Sequence, residues 1–414
     1  MKEKQNKIDR RNFLKTMGAA GLGSVLAGCK GKEETQLDTV EPEAPERAQE
    51  PEYPQVPRRK LGKTGVEVSC LALGTIFNVL ENQILLRKSL QWGVTYWDTA
   101  YGYTGGNSER GIGKFLENNP DVRKKLFIVS KASDARTVAD VEKRLQKSLE
   151  RMNTNYIDLY YGVHGLDEPG QLTNELKNWA KDAKKRKLIR FFGFSTHENM
   201  AECLTAAARL DWIDAVMPRY NFRLMQDDKM QAAVEACHKA GIGLIAMKTQ
   251  AKEIKTTEDK KLAQHFLQRG FTEGQAKVKI VLEDKRISSA CVGRDNLAHL
   301  QLNIAAVLDK TKLTLADRDV FKKYAHDTCS GYCAGCANIC KLALPDVPYV
   351  SKVMRYLMYY NSYGEQKEAR ELFAKIPGNV RKKLLSTDYS TAEARCPQHL
   401  PIAELMAEAV SKLA

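Results

Sequence analysis

The segment 126–164, LFIVSKASDARTVADVEKRLQKSLERMNTNYIDLYYGVH, reads as strand, helix, strand. Residues 126–131 and 156–163 are short runs rich in β-branched and aromatic side chains. Between them Val138, Val141, Leu145, Leu149 and Met152 recur at three- and four-residue intervals, the spacing of one helix face. The unit repeats in both directions. Strand-like runs lie at 68–74, 95–100, 126–131, 156–163, 189–195, 215–221, 243–248 and 287–293, with helical patterns such as 172–187 between them. Eight alternations over residues 58–310 fill 253 residues, close to the roughly 250 of a (β/α)8 TIM barrel. A doubly wound open sheet alternates in the same way, but it wants a glycine-rich phosphate turn after its first strand. Gly74-Thr75-Ile76-Phe77 is not one. The expected fold class is therefore α/β, a (β/α)8 TIM barrel. Residues 311–414 lose the strand alternation. They read as a small helical, cysteine-rich C-terminal appendage, with helices at 314–326, 350–359, 365–376 and 402–413.

The whole chain has 414 residues, 43% of them hydrophobic and 28% charged. That balance supports a large soluble core and excludes general disorder and collagen-like structure. A mean hydropathy of −0.44, with no apolar run near the roughly 20 residues of a spanning helix, excludes a multi-span membrane protein. The net charge of +14 is partly processing sequence. Residues 1–28 hold six Lys/Arg against Glu3 and Asp9, so a chain starting at Cys29 carries +10. The other bases alternate with acids on helices (Arg144, Lys147, Glu150, Arg151), which marks a solvated face rather than a nucleic-acid site.

Residues 1–29 read as an address. Arg10-Arg11-Asn12-Phe13-Leu14-Lys15 precedes a short, Gly/Ala-rich apolar stretch, as in a twin-arginine export signal. Leu26-Ala27-Gly28-Cys29 resembles a lipobox, with Cys29 the lipidated residue. Residues 30–57, acidic and proline-rich, then read as a tether. The expected location is the periplasm or cell envelope, with a lipid anchor at the membrane. Twin-arginine export carries folded proteins, so a cofactor can be loaded first.

Three polar residues end successive expected strands at 33-residue intervals, namely Asp98, Lys131 and His164. One βα unit apart, they should stand side by side at the barrel mouth, where barrel active sites are built. Tyr103 follows in the loop after Asp98. Such a quartet suits carbonyl reduction. A Tyr hydroxyl protonates the oxygen as hydride arrives, a Lys ammonium lowers its pKa, a carboxylate balances the Lys, and a His orients the carbonyl. Singly, each has a bland reading: a structural ion pair, a satisfied core histidine, a loop aromatic. Together, three at repeat spacing with Tyr103 in the adjoining loop do not.

These residues carry a resemblance to the aldo/keto reductase family, running from Arg59 to about Ala306. The stretch from Arg59 to Ser69 resembles its N-terminal hairpin. Asp98-Thr99-Ala100-Tyr101-Gly102-Tyr103, Ser130-Lys131 and Tyr156-Ile157-Asp158-Leu159-Tyr160 leading to His164 resemble its signature segments. The resemblance implies a catalytic tetrad of Asp98, Tyr103, Lys131 and His164. It implies NADP(H) or NAD(H) as cofactor, held near Gly74, Thr75, Asp98, Ser195, Asn221, Gly293, Arg294 and Asn303. Met217 stands where many members carry Gln, and Asn296 where many carry a cation for a 2′-phosphate.

Of ten cysteines, Cys329-x3-Cys333-x2-Cys336-x3-Cys340, with the later Cys396-Pro397, form one group. Disulfides between such close neighbours are geometrically awkward. Structural zinc prefers two separated knuckles, and a tight four-thiolate run suits an iron–sulfur cluster. The tail, with Tyr356-Leu357-Met358-Tyr359-Tyr360 and Cys396-Pro397, resembles the ferredoxin-type tail of one aldo/keto reductase subgroup. That resemblance implies one 4Fe-4S cluster on Cys329, Cys333 and Cys336, completed by Cys396 or by Cys340.

The sequence therefore reads as an exported, lipid-anchored oxidoreductase acting on a small carbonyl or alcohol, with a redox partner protein expected for the cluster. The alternative is a non-catalytic electron carrier or envelope binding protein that uses the barrel as scaffold.

Overall fold

A computed structural model of the chain describes residues 53–250, 257–293 and 296–414. The export signal, Cys29, most of the tether and Arg294 lie outside these residues. Pro54–Ala414 forms one compact unit. Among the described residues no helix is long and apolar enough to cross a membrane.

All eight expected barrel strands are present, with ends within three residues of those expected. In chain order they are β3 (Leu71–Gly74), β4 (Tyr96–Asp98), β5 (Phe127–Lys131), β6 (Ile157–His164), β7 (Ile189–Thr196), β8 (Ala215–Pro218), β9 (Gly243–Ala246) and β10 (Ser289–Gly293). They pair in parallel in sequence order, and β10 closes on β3 through Gly293 opposite Gly74. A hairpin of β1 (Arg58–Lys60) and β2 (Glu67–Ser69) precedes them. Thus the run at 68–74 is two strands, broken at Cys70. Leu61 and Val68 of this hairpin join Ala72, Tyr96, Phe127, Leu159, Tyr161 and Met217 in the barrel core. The hairpin closes the end of the barrel where the strands begin. Gly62 makes that approach possible: its φ is +51°, and a Cβ there would lie 2.2 Å from the carbonyl oxygen of Gly241. The tether also ends earlier than expected, because Val56 is buried and its N–H donates to Trp92 O.

Helices form where the sequence supplies both a stripe and a cap. In Val138–Arg151 the buried face is Val141, Leu145 and Leu149, and Thr137 with Asp140 makes a capping box. In the C-terminal region every regular element among the described residues is helical. Its own core, including Val353, Leu357, Phe373, Tyr389, Met406 and Leu413, packs against Cys333 and Cys340. This region docks on the ends of the barrel strands. Arg219 donates to Cys333 O at 3.0 Å, Asn199 N donates to Gly335 O at 2.8 Å, and Lys375 meets Asp134 at 3.0 Å.

Candidate active site

The parallel register puts the C-terminal ends of β4, β5, β6 and β7 side by side, so Asp98, Lys131, His164 and Ser195 arrive at one rim. Here Lys131 Nζ lies 2.6 Å from Asp98 Oδ1, donates to Thr99 O at 2.7 Å, and reaches Tyr103 OH at 3.4 Å. Tyr103 stands edge-on to His164, ring centroids 6.0 Å apart. All four side chains border a cavity of about 780 Å³, within the size range of ligand sites. The structure thus brings the expected tetrad together.

Electrostatics sharpen the roles. Burial pushes the Tyr103 phenol well above its ordinary value, and the nearby Asp98 charge adds to the rise. This overturns the expectation that Lys131 leaves Tyr103 with a lowered pKa. Desolvation of the phenolate is the largest influence on it. Tyr103 is therefore a protonated acid at rest. Burial likewise raises Asp98, with Lys131 opposing it. Burial, then the Lys131 and Arg355 charges, push His164 down to about 3, so its ring is neutral at physiological pH. Ser133 Oγ accepts from Gly102 N–H at 3.1 Å and meets His164 Nδ1 at 2.9 Å. With the serine proton directed to Nδ1, the neutral ring carries its own proton on Nε2 and can donate it. Ser133 was not singled out from the sequence. It carries no signal beyond its place two residues after Lys131.

The expected cofactor residues divide. Gly74, Asp98, Ser195 and Gly293 border the cavity, together with Met217, Met247, Lys248, Thr249 and Gln250. Ser195 Oγ and Asp98 Oδ2 are buried without hydrogen-bond partners, so both remain free to meet a ligand. Thr75 instead donates to Asp98 O at 2.8 Å behind the rim. Asn221 donates to Tyr332 OH at 3.0 Å and to Lys248 O at 3.2 Å, which commits it to holding the C-terminal region. Asn303 accepts from Gln250 at 3.0 Å. These three are engaged within the protein, and none borders the cavity. The C-terminal region supplies part of its wall, with Arg355, Tyr359, Tyr363 and Glu368. Lys248 Nζ sits 4.5 Å and 4.3 Å from the ring centroids of Tyr359 and Tyr363.

The cysteines also divide. Cys333, Cys336, Cys340 and Cys396 line one small cavity, whereas Cys329 is not among its walls. This grouping matches neither expected ligand set. Cys329 lies in the turn that follows helix Leu315–Asp327, before the chain folds round the cavity. Among the described residues all cysteines are free, and no three His, Cys, Asp or Glu side chains converge on a point that would hold a metal ion.

The sequence matches the aldo/keto reductase family over residues 77–317, more than half of the chain. The L-glyceraldehyde 3-phosphate reductase of Escherichia coli K12 is 24% identical over 318 residues, 63% of this chain and 90% of the relative. An aldo-keto reductase of Alternaria alternata is 25% identical over 234 residues, 45% of this chain and 63% of the relative. One of Gibberella moniliformis is 31% identical over 176 residues, 40% of this chain and 51% of the relative. The chain thus spans from about half to under two thirds of these two fungal relatives. The holo form of a Bacillus halodurans aldo-keto reductase aligns with a TM-score of 0.56 at 19% identity, covering 65% of this chain and 96% of that one. A thermostable aldo-keto reductase aligns with a TM-score of 0.55 at 24% identity, covering 65% and 100%. At these identities the structural likeness speaks for the barrel fold.

Proposed function

The chain belongs to the aldo/keto reductase family, and from that premise we propose that it is an NAD(P)(H)-dependent oxidoreductase reducing a small aldehyde or ketone, or oxidising the alcohol. The observation that carries this reading is the convergence of Asp98, Tyr103, Lys131 and His164 on one cavity. A nicotinamide bound in that cavity would supply hydride to the carbonyl carbon. The free Ser195 hydroxyl, which borders the cavity with Met217 and Met247, fits the polar end of such a group. His164 donates from Nε2 to the carbonyl oxygen and orients it. Tyr103 then gives its proton to that oxygen, and Lys131 stabilises the phenolate left behind. Asp98 balances Lys131, so the ammonium stays charged in a dry site. Hydride and proton together make the alcohol, and solvent reprotonates Tyr103. Nicotinamide turnover on a panel of aldehydes, with Tyr103→Phe as control, tests the reading, and equal turnover by the variant overturns it.

The C-terminal cysteines support a finer reading, one 4Fe-4S cluster on Cys333, Cys336, Cys340 and Cys396. A single ion requires donors converging to about 2.3 Å from one centre. A cubane carries one iron per thiolate, so its ligands stand round a void instead. Four thiols bordering one cavity are the donor set that such a group would need. The cluster would pass single electrons to a partner protein. Export by the twin-arginine route and lipidation at Cys29 complete the proposal, placing the enzyme at the cell envelope with its cofactor loaded before export.

A further inference from the structure

A second, smaller cavity of about 60 Å³ lies between the barrel rim and the C-terminal region, with His197, Glu198, Arg219, Tyr332, Cys333 and Arg355 in its walls. At roughly 30 Å³ per water, it has room for about two waters, or for one small planar oxyanion. Four buried polar atoms of these residues have no hydrogen-bond partner: His197 Nδ1, Glu198 Oε1, Arg219 Nε and Arg355 Nε. Glu198 and Arg219 are each only 3% exposed, so bulk water does not satisfy them. Buried polar groups are paired in native proteins as a rule, and four orphans in one cavity call for a common explanation.

Charge narrows the explanation. Arg355 Nη1 lies 3.7 Å from Glu198 Oε1, an ion pair too long for a hydrogen bond. Among the described residues Arg219 pairs with no carboxylate; its Nη1 is engaged by Cys333 O. Burial and the Arg355, Lys248 and Arg219 charges hold His197 neutral. Two guanidiniums thus face one carboxylate in the walls of this cavity. Water can satisfy the open N–H donors, but a small anion would also match the charge of the second guanidinium. Even the loop is shaped for this guanidinium. Gly335 has φ +81°, and a Cβ there would lie 2.1 Å from Arg219 Nη2.

We propose that this cavity is a subsite for a small oxyanion of the carboxylate class, held between the Nε–H groups of Arg219 and Arg355. His197, Glu198 and Arg355 also border the large cavity that holds Tyr103 and His164. The oxyanion can therefore be the acid group of the carbonyl substrate, a refinement that rests on the reductase reading. A free anion is the other source of the same chemistry.

Formate is the probe. Calorimetric titration into anaerobically purified protein should show saturable binding, weakened about tenfold or more in Arg219→Met and in Arg355→Met and partly restored in Arg355→Lys. Absence of binding, or equal binding in all variants, overturns the subsite. If either methionine variant fails to fold, the native chain still decides. Its Tm should rise with formate but not with chloride at equal ionic strength, and equal responses overturn the proposal. Succinate semialdehyde and butanal then separate the sources. A lower KM for the acid, lost in Arg355→Met and competed by formate, assigns the oxyanion to the substrate. Equal KM values without competition assign the subsite to a free anion. Formate binding that depends on both arginines, with no aldehyde turned over, leaves the subsite standing while the reductase reading fails.

Discussion

Lys131 Nζ and Asp98 Oδ1 meet 2.6 Å apart with side chains only 2% and 3% exposed. The pair sits at adjacent strand ends, where the ammonium also reaches Thr99 O and Tyr103 OH. Burying two charges is costly, and what makes it tolerable is that each is the other's partner. Removing one partner should therefore hurt more than removing both. Asp98→Ala should cost about 3–5 kcal/mol of stability by stranding the ammonium, whereas Asp98→Leu combined with Lys131→Met should cost less than Asp98→Ala alone. Urea unfolding of the parent and the two variants checks this. A double variant less stable than Asp98→Ala would mean that the pair is a net stabiliser and not a catalytic expense.

Tyr103 is the proposed proton donor, and Phe preserves its ring against His164 while deleting the hydroxyl. General acid catalysis contributes about 10²–10⁴-fold, so Tyr103→Phe should lower kcat by that range with KM changed far less. Steady-state kinetics on the best aldehyde of the panel measures it. A kcat within a factor of about three of the parent would exclude Tyr103 as the acid.

Much of this was legible in the sequence, for a physical reason. A barrel strand must be apolar enough to be buried, and its last residue points at the mouth. Periodicity therefore fixed the strands, and 33-residue spacing carried Asp98, Lys131 and His164 to one rim. The direction of the Tyr103 shift was not legible, since burial of the phenol, which only the folded chain shows, sets it. The fate of Asn221 was not legible either. It stands at a strand end like a ligand-binding residue, yet Tyr332, over a hundred residues later, claims its amide. Arg219 could have been noticed as a charge at the end of β8. Arg355 could not, because nothing local in a helix reveals which barrel wall it will meet.

His164 makes a pH prediction with a definite sign. Its value falls from 6.5 to about 3 on folding, through burial first and the Lys131 and Arg355 charges next. Between those values the unfolded chain binds the proton and the folded chain does not. Stability from this group is therefore undiminished above pH 6.5 and falls as pH drops toward 3. At pH 5 the loss is about 2 kcal/mol, taking 1.36 kcal/mol per unit. His164→Gln should flatten that part of the stability profile, as measured by urea midpoints from pH 7 to pH 4.5. An unchanged slope would show that His164 is not the buried neutral imidazole described. His197, lowered in the same direction, keeps a residual slope in the variant.

The cysteine cavity makes the last prediction, and it turns on Cys329. Spacing alone put Cys329 first in the cluster run, but the structure groups Cys333, Cys336, Cys340 and Cys396 without it. Ligand loss removes a thiolate from an iron, whereas loss of a bystander leaves the cubane intact. Anaerobically purified protein should therefore carry about four irons per chain, with little zinc. Cys329→Ser should keep the iron and its absorption band, while Cys340→Ser and Cys396→Ser should each lose most of both. Cys396 is buried in the C-terminal core, so its variant needs a check by circular dichroism that the helices persist; Cys340 is only partly buried and provides the cleaner comparison. Iron lost from Cys329→Ser but retained in Cys340→Ser would return the ligand set to the one that spacing suggested. Zinc in place of iron would remove the electron-transfer role altogether and leave the appendage as a metal-stapled roof over the barrel mouth.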